Sequence, residues 1–186
     1  TARYFYQYFS NYPHIIRKNR NSAAIINEKD TAEDLKHLGK DVFQYFGLGC
    51  RSVSKLYIPK GYRIATIFEA FYSDYQEVTT NNKYANNYDY NKAVYLLGNN
   101  QILDNGFIIL KEDSSLSSPV GVLHYEYYDS LIQLQKRLEE ENMEIQCVVS
   151  SKNTPIKTLA FGKAQSPSLT DYADGVDTMK FLLELI

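Results

Sequence analysis

The feature that most constrains the fold of this chain is the alternation of short apolar runs with segments of helical periodicity. Runs typical of buried strands occupy residues 22–26, 53–58, 107–110, 120–125 and 145–149. Apolar residues recur at helical spacing over 35–46, 64–75 and 131–138, between those runs. Strands that alternate with helices of this length form parallel βαβ units. The sequence therefore predicts an α/β fold, with a mainly parallel sheet flanked by helices.

Local signals set the expected boundaries of these elements. Thr31 followed three residues later by Asp34 predicts the start of a helix, and Gly47 predicts its end. The stretch 79–91 is rich in Asn and Tyr, which favours a loop followed by a helix that runs to Leu97. At 186 residues the chain is expected to form a single domain.

Composition excludes several classes of function. The formal net charge of −2 disfavours binding to nucleic acid or another polyanion. No apolar run approaches the roughly 20 residues that a membrane-spanning helix needs. Two cysteines without a Cys/His cluster predict neither a disulfide framework nor a metal site, and they suit a reducing, cytoplasmic compartment.

Cys50 is the candidate nucleophile. It follows a helical segment in the run Phe46-Gly47-Leu48-Gly49-Cys50, and the glycines let a substrate carbonyl approach the sulfur. The alternative is an inert cysteine buried in a turn. Since ligands of parallel sheets usually gather at the carboxyl ends of strands and Cys50 precedes its strand, its chemistry would require a partner domain facing that loop.

Other polar residues carry weaker hypotheses. The cluster Arg17-Lys18-Asn19-Arg20 suits either a solvated loop or stabilisation of a phosphate or thiolate. Cys147, in an apolar strand, is expected to be core. The three histidines are expected to have structural or solvated positions; they are His14, His37 and His124.

Three segments carry a resemblance to a known family. The run around Cys50, FQYFGLGCRSVSKL, is similar to the region of the catalytic cysteine in the aldehyde dehydrogenase superfamily, and NRNSAAII and Ser118-Pro119-Val120 resemble its flanking segments. The segments IIRKNRNS, FGLGCRSVSKLYIPKGY and TDYADGVDTMKFL resemble more specifically the acyl-CoA reductase family that includes the fatty-acid reductase of bacterial luminescence.

This resemblance implies that residues 1–186 are the catalytic domain of a two-domain, NADPH-dependent enzyme whose N-terminal NADP-binding domain is absent from this chain. The implied reaction reduces acyl-CoA, or another acyl thioester, to an aldehyde through an acyl-Cys50 intermediate. The resemblance is also compatible with an acyl-transferring partner protein and with a homo-oligomer.

Two positions differ from the residues that the aldehyde-oxidising members of this superfamily carry. Arg17 aligns where aldehyde-oxidising members carry a Glu that activates water, and Ser115 aligns where they carry a Glu that holds the nicotinamide ribose. Loss of the first Glu disfavours hydrolysis of an acyl-enzyme. By this alignment, Arg17 and Ser115 are the expected cofactor-binding residues. The rival hypotheses are a cysteine acyltransferase without redox chemistry and a non-catalytic α/β assembly domain.

Overall fold

The computed structural model of the chain describes residues 2–17, 19–151 and 154–185, which form six α-helices and seven β-strands. The helices are α1 (Ala2–Phe9), α2 (Ala32–Phe43), α3 (Ala65–Tyr75), α4 (Asn82–Leu97), α5 (Leu131–Glu140) and α6 (Thr178–Leu183). The strands are β1 (Asn21–Ile25), β2 (Val53–Pro59), β3 (Ile102–Asp104), β4 (Ile109–Glu112), β5 (Val122–Tyr128), β6 (Ile145–Ser150) and β7 (Leu159–Ala160).

All seven strands belong to one sheet, in the order β3-β4-β5-β2-β1-β6-β7. Neighbouring strands are parallel, except that β3 pairs with β4 in the antiparallel sense. The central strands β5, β2 and β1 lie side by side. This architecture confirms the predicted α/β class with a mainly parallel sheet.

Helices cover both faces of the sheet. On one face, buried side chains of α2, α3 and α4 pack against the strands, including Leu38, Phe71 and Tyr84. On the other face, Leu134 and Leu138 of α5 pack against β1 and β6. Because both faces are covered, the open edges of the sheet and the loops at its two ends are the places left for a site.

The start of α2 confirms the predicted capping pattern, whereas its end differs from the prediction. The Thr31 side chain accepts a hydrogen bond from the Asp34 N–H, and the Asp34 carboxylate accepts one from the Thr31 N–H. The α-helix ends at Phe43, and Gln44–Gly47 form a tight turn whose backbone at Tyr45 and Phe46 is not helical. The last turn before Cys50 is therefore not part of the helix.

The predicted helix that runs to Leu97 is confirmed, but the loop before it is shorter than the stretch 79–91 suggested. Helix α4 begins at Asn82, capped by the side chain of Asn81, which accepts a hydrogen bond from the Tyr84 N–H. Strands β3 and β7, of three and two residues, were not predicted because such short segments carry no periodic pattern. None of the helices in the described ranges has the length and apolar character needed to cross a membrane.

Candidate active site at the amino ends of the central strands

The structure brings the three predicted site residues to the same end of the sheet. Arg17 precedes β1, Cys50 precedes β2 and Ser115 precedes β5, and these three strands are adjacent and parallel. Their loops therefore meet at the amino ends of the central strands. No hydrogen bond or ion pair joins the three side chains to one another within the described residues, so the shared edge is what relates them.

The loop that carries Cys50 has an unusual backbone. Tyr45, Phe46 and Gly47 follow one another with φ values of 57°, 59° and 71°. This left-handed region is unfavourable for residues other than glycine, and such strain persists only where surrounding structure enforces it, often at functional sites. The strained turn carries the chain away from α2 and leaves Cys50 exposed.

Hydrogen bonds hold the backbone of Cys50 on one side and leave it open on the other. The Ser22 hydroxyl of β1 donates to the Cys50 carbonyl at 2.9 Å. The next turn is closed by the Ser52 N–H, which donates to the Gly49 carbonyl at 2.9 Å. Among the residues that the structure describes, none accepts a hydrogen bond from the Cys50 N–H. An exposed thiol beside a free N–H is the pair of groups that acyl transfer requires.

A buried carboxylate anchors the segment that lies against this loop. Asp41 of α2 is fully buried, and its two oxygens accept hydrogen bonds from the N–H groups of Gly162 (2.6 Å) and Ala164 (2.9 Å). Burial raises the pKa of Asp41 to about 6, against the opposing effect of those hydrogen bonds. The segment 162–164 is thereby fixed to the helix that leads into the Cys50 loop.

The anchored segment in turn contacts the residues next to Cys50. The Arg51 guanidinium donates to the Ala164 carbonyl at 3.0 Å, and the Gln165 amide donates to the Ser52 hydroxyl at 3.2 Å. Two side chains on the carboxyl side of the cysteine are thus held by residues more than 110 positions away. Asp41, Arg51 and Gln165 are site residues that the sequence analysis missed.

The two described arginines of the basic cluster bind a carboxylate of the 171–175 segment. Arg17 is partly exposed and donates to the Asp174 carboxylate at 3.3 Å, while Arg20 lies 3.9 Å from the same carboxylate and donates to the Asn142 carbonyl. Lys18 lies outside the described residues. Neither Arg17 nor Arg20 has a hydrogen bond to Cys50, so the structure ties both arginines to Asp174 instead.

Ser115 lies on an exposed loop that several hydrogen bonds hold in place. Its N–H donates to the Asp113 carboxylate (2.9 Å), its carbonyl is 3.1 Å from His124 Nδ1, and its hydroxyl donates to the Ser117 carbonyl (3.1 Å). Hydrogen bonds from Lys111 and Ser115 lower the pKa of Asp113 to about 2. The same loop is tied to β2, because the Ser54 hydroxyl donates to the Leu116 carbonyl at 2.7 Å.

The ion pair between Lys55 and Glu126 contacts the loop that carries Ser115. Lys55 of β2 has no exposed side-chain surface, contacts the Glu126 carboxylate at 2.7 Å and donates to the Asp113 carbonyl. Arg137 of α5 reaches the same carboxylate at 2.9 Å. Burial lowers the pKa of Lys55, opposed by the Glu126 carboxylate.

Cys147 packs against the core, as expected, but it is only partly buried. Its thiol is half-buried, lies 3.1 Å from the Ser22 hydroxyl and lines a cavity beside β6. Burial raises the pKa of this thiol. A single serine side chain therefore contacts both the Cys50 backbone and the Cys147 thiol.

The histidines have the structural or solvated positions that were expected. His37 is exposed beside Glu33, His14 contacts the Tyr12 carbonyl, and His124 is buried against the Ser115 loop. Across the described ranges, no group of three or more His, Cys, Asp or Glu residues is placed to hold a metal ion.

Comparison with known proteins identifies the fold. No protein-family profile and no curated protein sequence matches the chain. Two solved structures superpose on it with a TM-score of 0.52: bifunctional proline utilization A (PutA), at 14% identity over 80% of this chain, and Staphylococcus aureus AldH in a substrate-bound state, at 12% identity over 72%. The chain spans 18% and 35% of their lengths. Its fold is that of aldehyde dehydrogenase domains.

Proposed function

We propose that this chain is the cysteine-bearing catalytic domain of an oxidoreductase that reduces an acyl thioester, such as an acyl-CoA, to an aldehyde. The observation that carries the proposal is the exposed Cys50 thiol, on a strained loop at the amino end of β2, next to a backbone N–H that no described residue bonds. The likeness of the fold to aldehyde dehydrogenase domains supports an oxidoreductase.

Cys50 and its backbone perform the acyl-transfer half of this reaction. The Cys50 thiolate adds to the thioester carbonyl, and the Cys50 N–H stabilises the resulting oxyanion. Collapse of that adduct breaks the carbon–sulfur bond to the leaving thiol and leaves an acyl-cysteine. Ser22 holds the Cys50 carbonyl from β1, which restrains the Cα that joins this peptide to the one carrying the N–H.

The reductive half needs a hydride donor, and the described residues offer only part of a site for one. The guanidinium of Arg17 is engaged by Asp174, and the Ser115 hydroxyl by the Ser117 carbonyl. We therefore place most of the NADPH site in a second domain that faces these loops. NADPH, when bound, supplies a hydride to the acyl carbon; the thiohemiacetal formed on Cys50 then releases the aldehyde and regenerates the thiolate.

The exposed apolar residues around Cys50 support a covering domain. Tyr45 is 63% and Leu48 57% exposed, immediately before a candidate nucleophile that would need protection from water. The same surface is compatible with a second subunit or with a protein that delivers the acyl group.

Mass spectrometry of the intact, complete enzyme tests the proposal. Incubation with an acyl-CoA in the absence of NADPH should add one acyl group, located at Cys50 by peptide mapping. Cys50→Ser should abolish that adduct and all aldehyde formation, whereas the matched variant Cys147→Ser should retain both. Later addition of NADPH should convert the adduct to aldehyde.

Each other outcome contradicts part of the proposal. An adduct that passes to an added thiol but never yields aldehyde would identify a cysteine acyltransferase without redox chemistry. A Cys50 that forms no adduct, in protein that is folded by circular dichroism, would leave the chain as a non-catalytic assembly domain.

A further inference from the structure

Asp41 is a buried charge that the steps proposed above do not use. Its side chain lies in the last turn of α2 and has no exposed surface. In the described ranges it forms no ion pair, and its hydrogen-bond donors are the N–H groups of Gly162 and Ala164. A carboxylate buried without a cation costs stability, so these two hydrogen bonds are what compensates for its burial.

The segment that Asp41 holds packs closely on α2. Gly162 has a φ of 79° and lies against the backbone of His37, where a larger residue would be strained. Phe161 and Ala164 are buried beside it. These contacts keep the segment on the helix whether or not the carboxyl is ionised. The hydrogen bonds to Asp41 fix where its backbone lies.

The same segment closes the turn that contains Cys50. The Gln165 amide donates to the Ser52 hydroxyl at 3.2 Å, and that hydroxyl accepts a second hydrogen bond from the Gly49 N–H at 3.3 Å. The Ser52 N–H donates to the Gly49 carbonyl at 2.9 Å. This carbonyl and the Cys50 N–H belong to one planar peptide unit, so a bond that fixes one fixes the other. Ser52 therefore sets the direction of the Cys50 N–H, and Gln165 holds Ser52.

A second connection runs from Ala164 to the residue after Cys50. Ala164 donates its N–H to Asp41, and its carbonyl accepts a hydrogen bond from the Arg51 guanidinium at 3.0 Å. Ala164 also directly precedes Gln165 in the chain. A shift of this stretch of backbone would therefore disturb both connections to the Cys50 turn.

The charged and titratable groups around Asp41 come from several parts of the chain. They are Lys40 and His37 of α2, Tyr75 of α3, Cys147 of β6, and Arg51 and Lys163 of the contacting loops. Lys40 and His37 lower the pKa of Asp41, but burial outweighs them and raises it to about 6. Protonation turns one acceptor oxygen into a donor, so one of the two N–H bonds to the segment is lost.

We propose that Asp41 is a positioning residue for Cys50: its carboxylate holds the 162–165 segment so that the Cys50 N–H points to the oxygen of the bound thioester. Protonation of Asp41 loosens this arrangement and slows acylation in mildly acidic solution. The inference rests on the proposed function, because the direction of the N–H matters only if Cys50 is acylated.

Two rates measured on Cys50 in the complete enzyme test this role: acylation by an acyl-CoA and alkylation by iodoacetamide. Both reactions need the thiolate, whereas only acylation builds an oxyanion beside the N–H. The ratio of the two rates therefore cancels the titration of the thiol. In wild type we expect the ratio to fall about tenfold between about pH 7.5 and about pH 5, the effect of one weakened hydrogen bond to a charged group.

Variants along the connection sharpen the test. Asp41→Asn should give the low ratio at every pH, since an amide oxygen accepts only one of the two N–H bonds and the side chain does not titrate. Gln165→Ala should lower the ratio too, and combining it with Asp41→Asn should lower it little further, because both changes break one path. Glu33→Gln, which neutralises an exposed carboxylate of the same helix, is the matched control and should behave as wild type.

A wild-type ratio that is independent of pH would overturn the role of Asp41, as would the same pH dependence in Asp41→Asn. If that variant does not fold, hydrogen exchange of the wild type decides. The Gly162 and Ala164 amides should then exchange faster below about pH 6, after correction for the intrinsic rate, and unchanged protection would overturn the inference. A wild-type Cys50 that is alkylated but never acylated would instead contradict the proposed function, and the role of Asp41 with it.

Discussion

The Ser22 hydroxyl donates a 2.9 Å hydrogen bond to the backbone carbonyl of Cys50, so a strand residue 28 positions away holds the peptide that carries the candidate nucleophile. The same oxygen lies 3.1 Å from the Cys147 thiol. Strand β1 therefore couples the exposed cysteine to the half-buried one, and a single substitution should perturb both.

Ser22→Ala should destabilise the protein by about 1 kcal/mol, the usual contribution of one such hydrogen bond. It should also accelerate alkylation of both cysteines, because the Cys50 loop and the Cys147 thiol each lose a partner. Urea unfolding and peptide-resolved labelling measure the two effects. Ser54→Ala removes a hydroxyl that donates to the Leu116 carbonyl and lies 3.4 Å from the Ser22 carbonyl. Because it leaves the Ser22 hydroxyl in place, it should cost similar stability without changing the Cys50 labelling rate. Unchanged labelling in Ser22→Ala would contradict the coupling.

Asp41 should make the protein more stable as the pH falls from about 6 to about 4. Its pKa is about 6 in the folded state and near 3.8 when unfolded, so between these values the folded protein binds more protons. The resulting stabilisation is fully present below pH 3.8 and is lost as the pH rises through 6. We expect it to reach about 3 kcal/mol, since each pKa unit corresponds to about 1.4 kcal/mol.

Comparison with Asp41→Asn isolates this effect from other titrating groups. The variant cannot titrate at this position. The unfolding free energy of the wild type minus that of the variant should therefore increase as the pH falls from 7 to 4. A difference that shrinks over the same range would show that the two backbone hydrogen bonds, which favour the carboxylate, outweigh burial.

The buried pair Lys55–Glu126 should behave as a coupled unit. Glu126→Gln leaves the fully buried ammonium without its charge partner and should cost about 3 kcal/mol. Lys55→Met leaves Glu126 its contact with Arg137 and should cost less. In the double variant the loss should be well below the sum of the two, as urea unfolding of all four proteins would measure. Additive losses would mean that the pair contributes no mutual stabilisation.

Periodicity predicted the central strands of the sheet and the helices that pack on them, since those elements are long enough to show which face is buried. It predicted the end of α4 at Leu97 but not its start at Asn82, because α4 buries polar-tipped residues. Tyr84 donates to the Phe107 carbonyl, Tyr88 to Asp104 and Asn91 to the Val120 carbonyl. Partners distant in sequence make that burial favourable, and no local pattern predicts them.

The candidate site was only partly predictable for the same reason. The position of Cys50 before a strand and after a glycine pair is a local signal. The residues that support it belong to other elements, as Ser22 and Gln165 show. Asp41 could have been found from the sequence. It falls three residues after Leu38 on the apolar stripe of α2, where a carboxylate requires a buried partner. No such signal marks Cys147, since a half-buried thiol has the same local pattern as core.

Arg17→Glu tests whether a carboxylate at this position turns the proposed reductase toward hydrolysis of its acyl-enzyme. If Arg17 stands where the aldehyde dehydrogenase superfamily carries a water-activating Glu, as the resemblance implies, the unmodified enzyme should hold its acyl-Cys50 adduct when NADPH is withheld. In the structure this arginine pairs with Asp174, and a glutamate there would be repelled by that carboxylate. The informative protein is therefore the double variant Arg17→Glu/Asp174→Asn, with Asp174→Asn alone as its control.

Hydrolysis of the acyl-enzyme in the double variant should be about 10²–10⁴ times faster than in the control, the usual contribution of a positioned general base. The lifetime of the adduct, followed by intact mass after removal of excess acyl-CoA, gives this ratio directly. An equal lifetime in both folded proteins would show that residue 17 does not reach the thioester. Rapid hydrolysis in the unmodified enzyme would argue against reduction itself, because an acyl-cysteine that water removes within one turnover is not available to accept hydride.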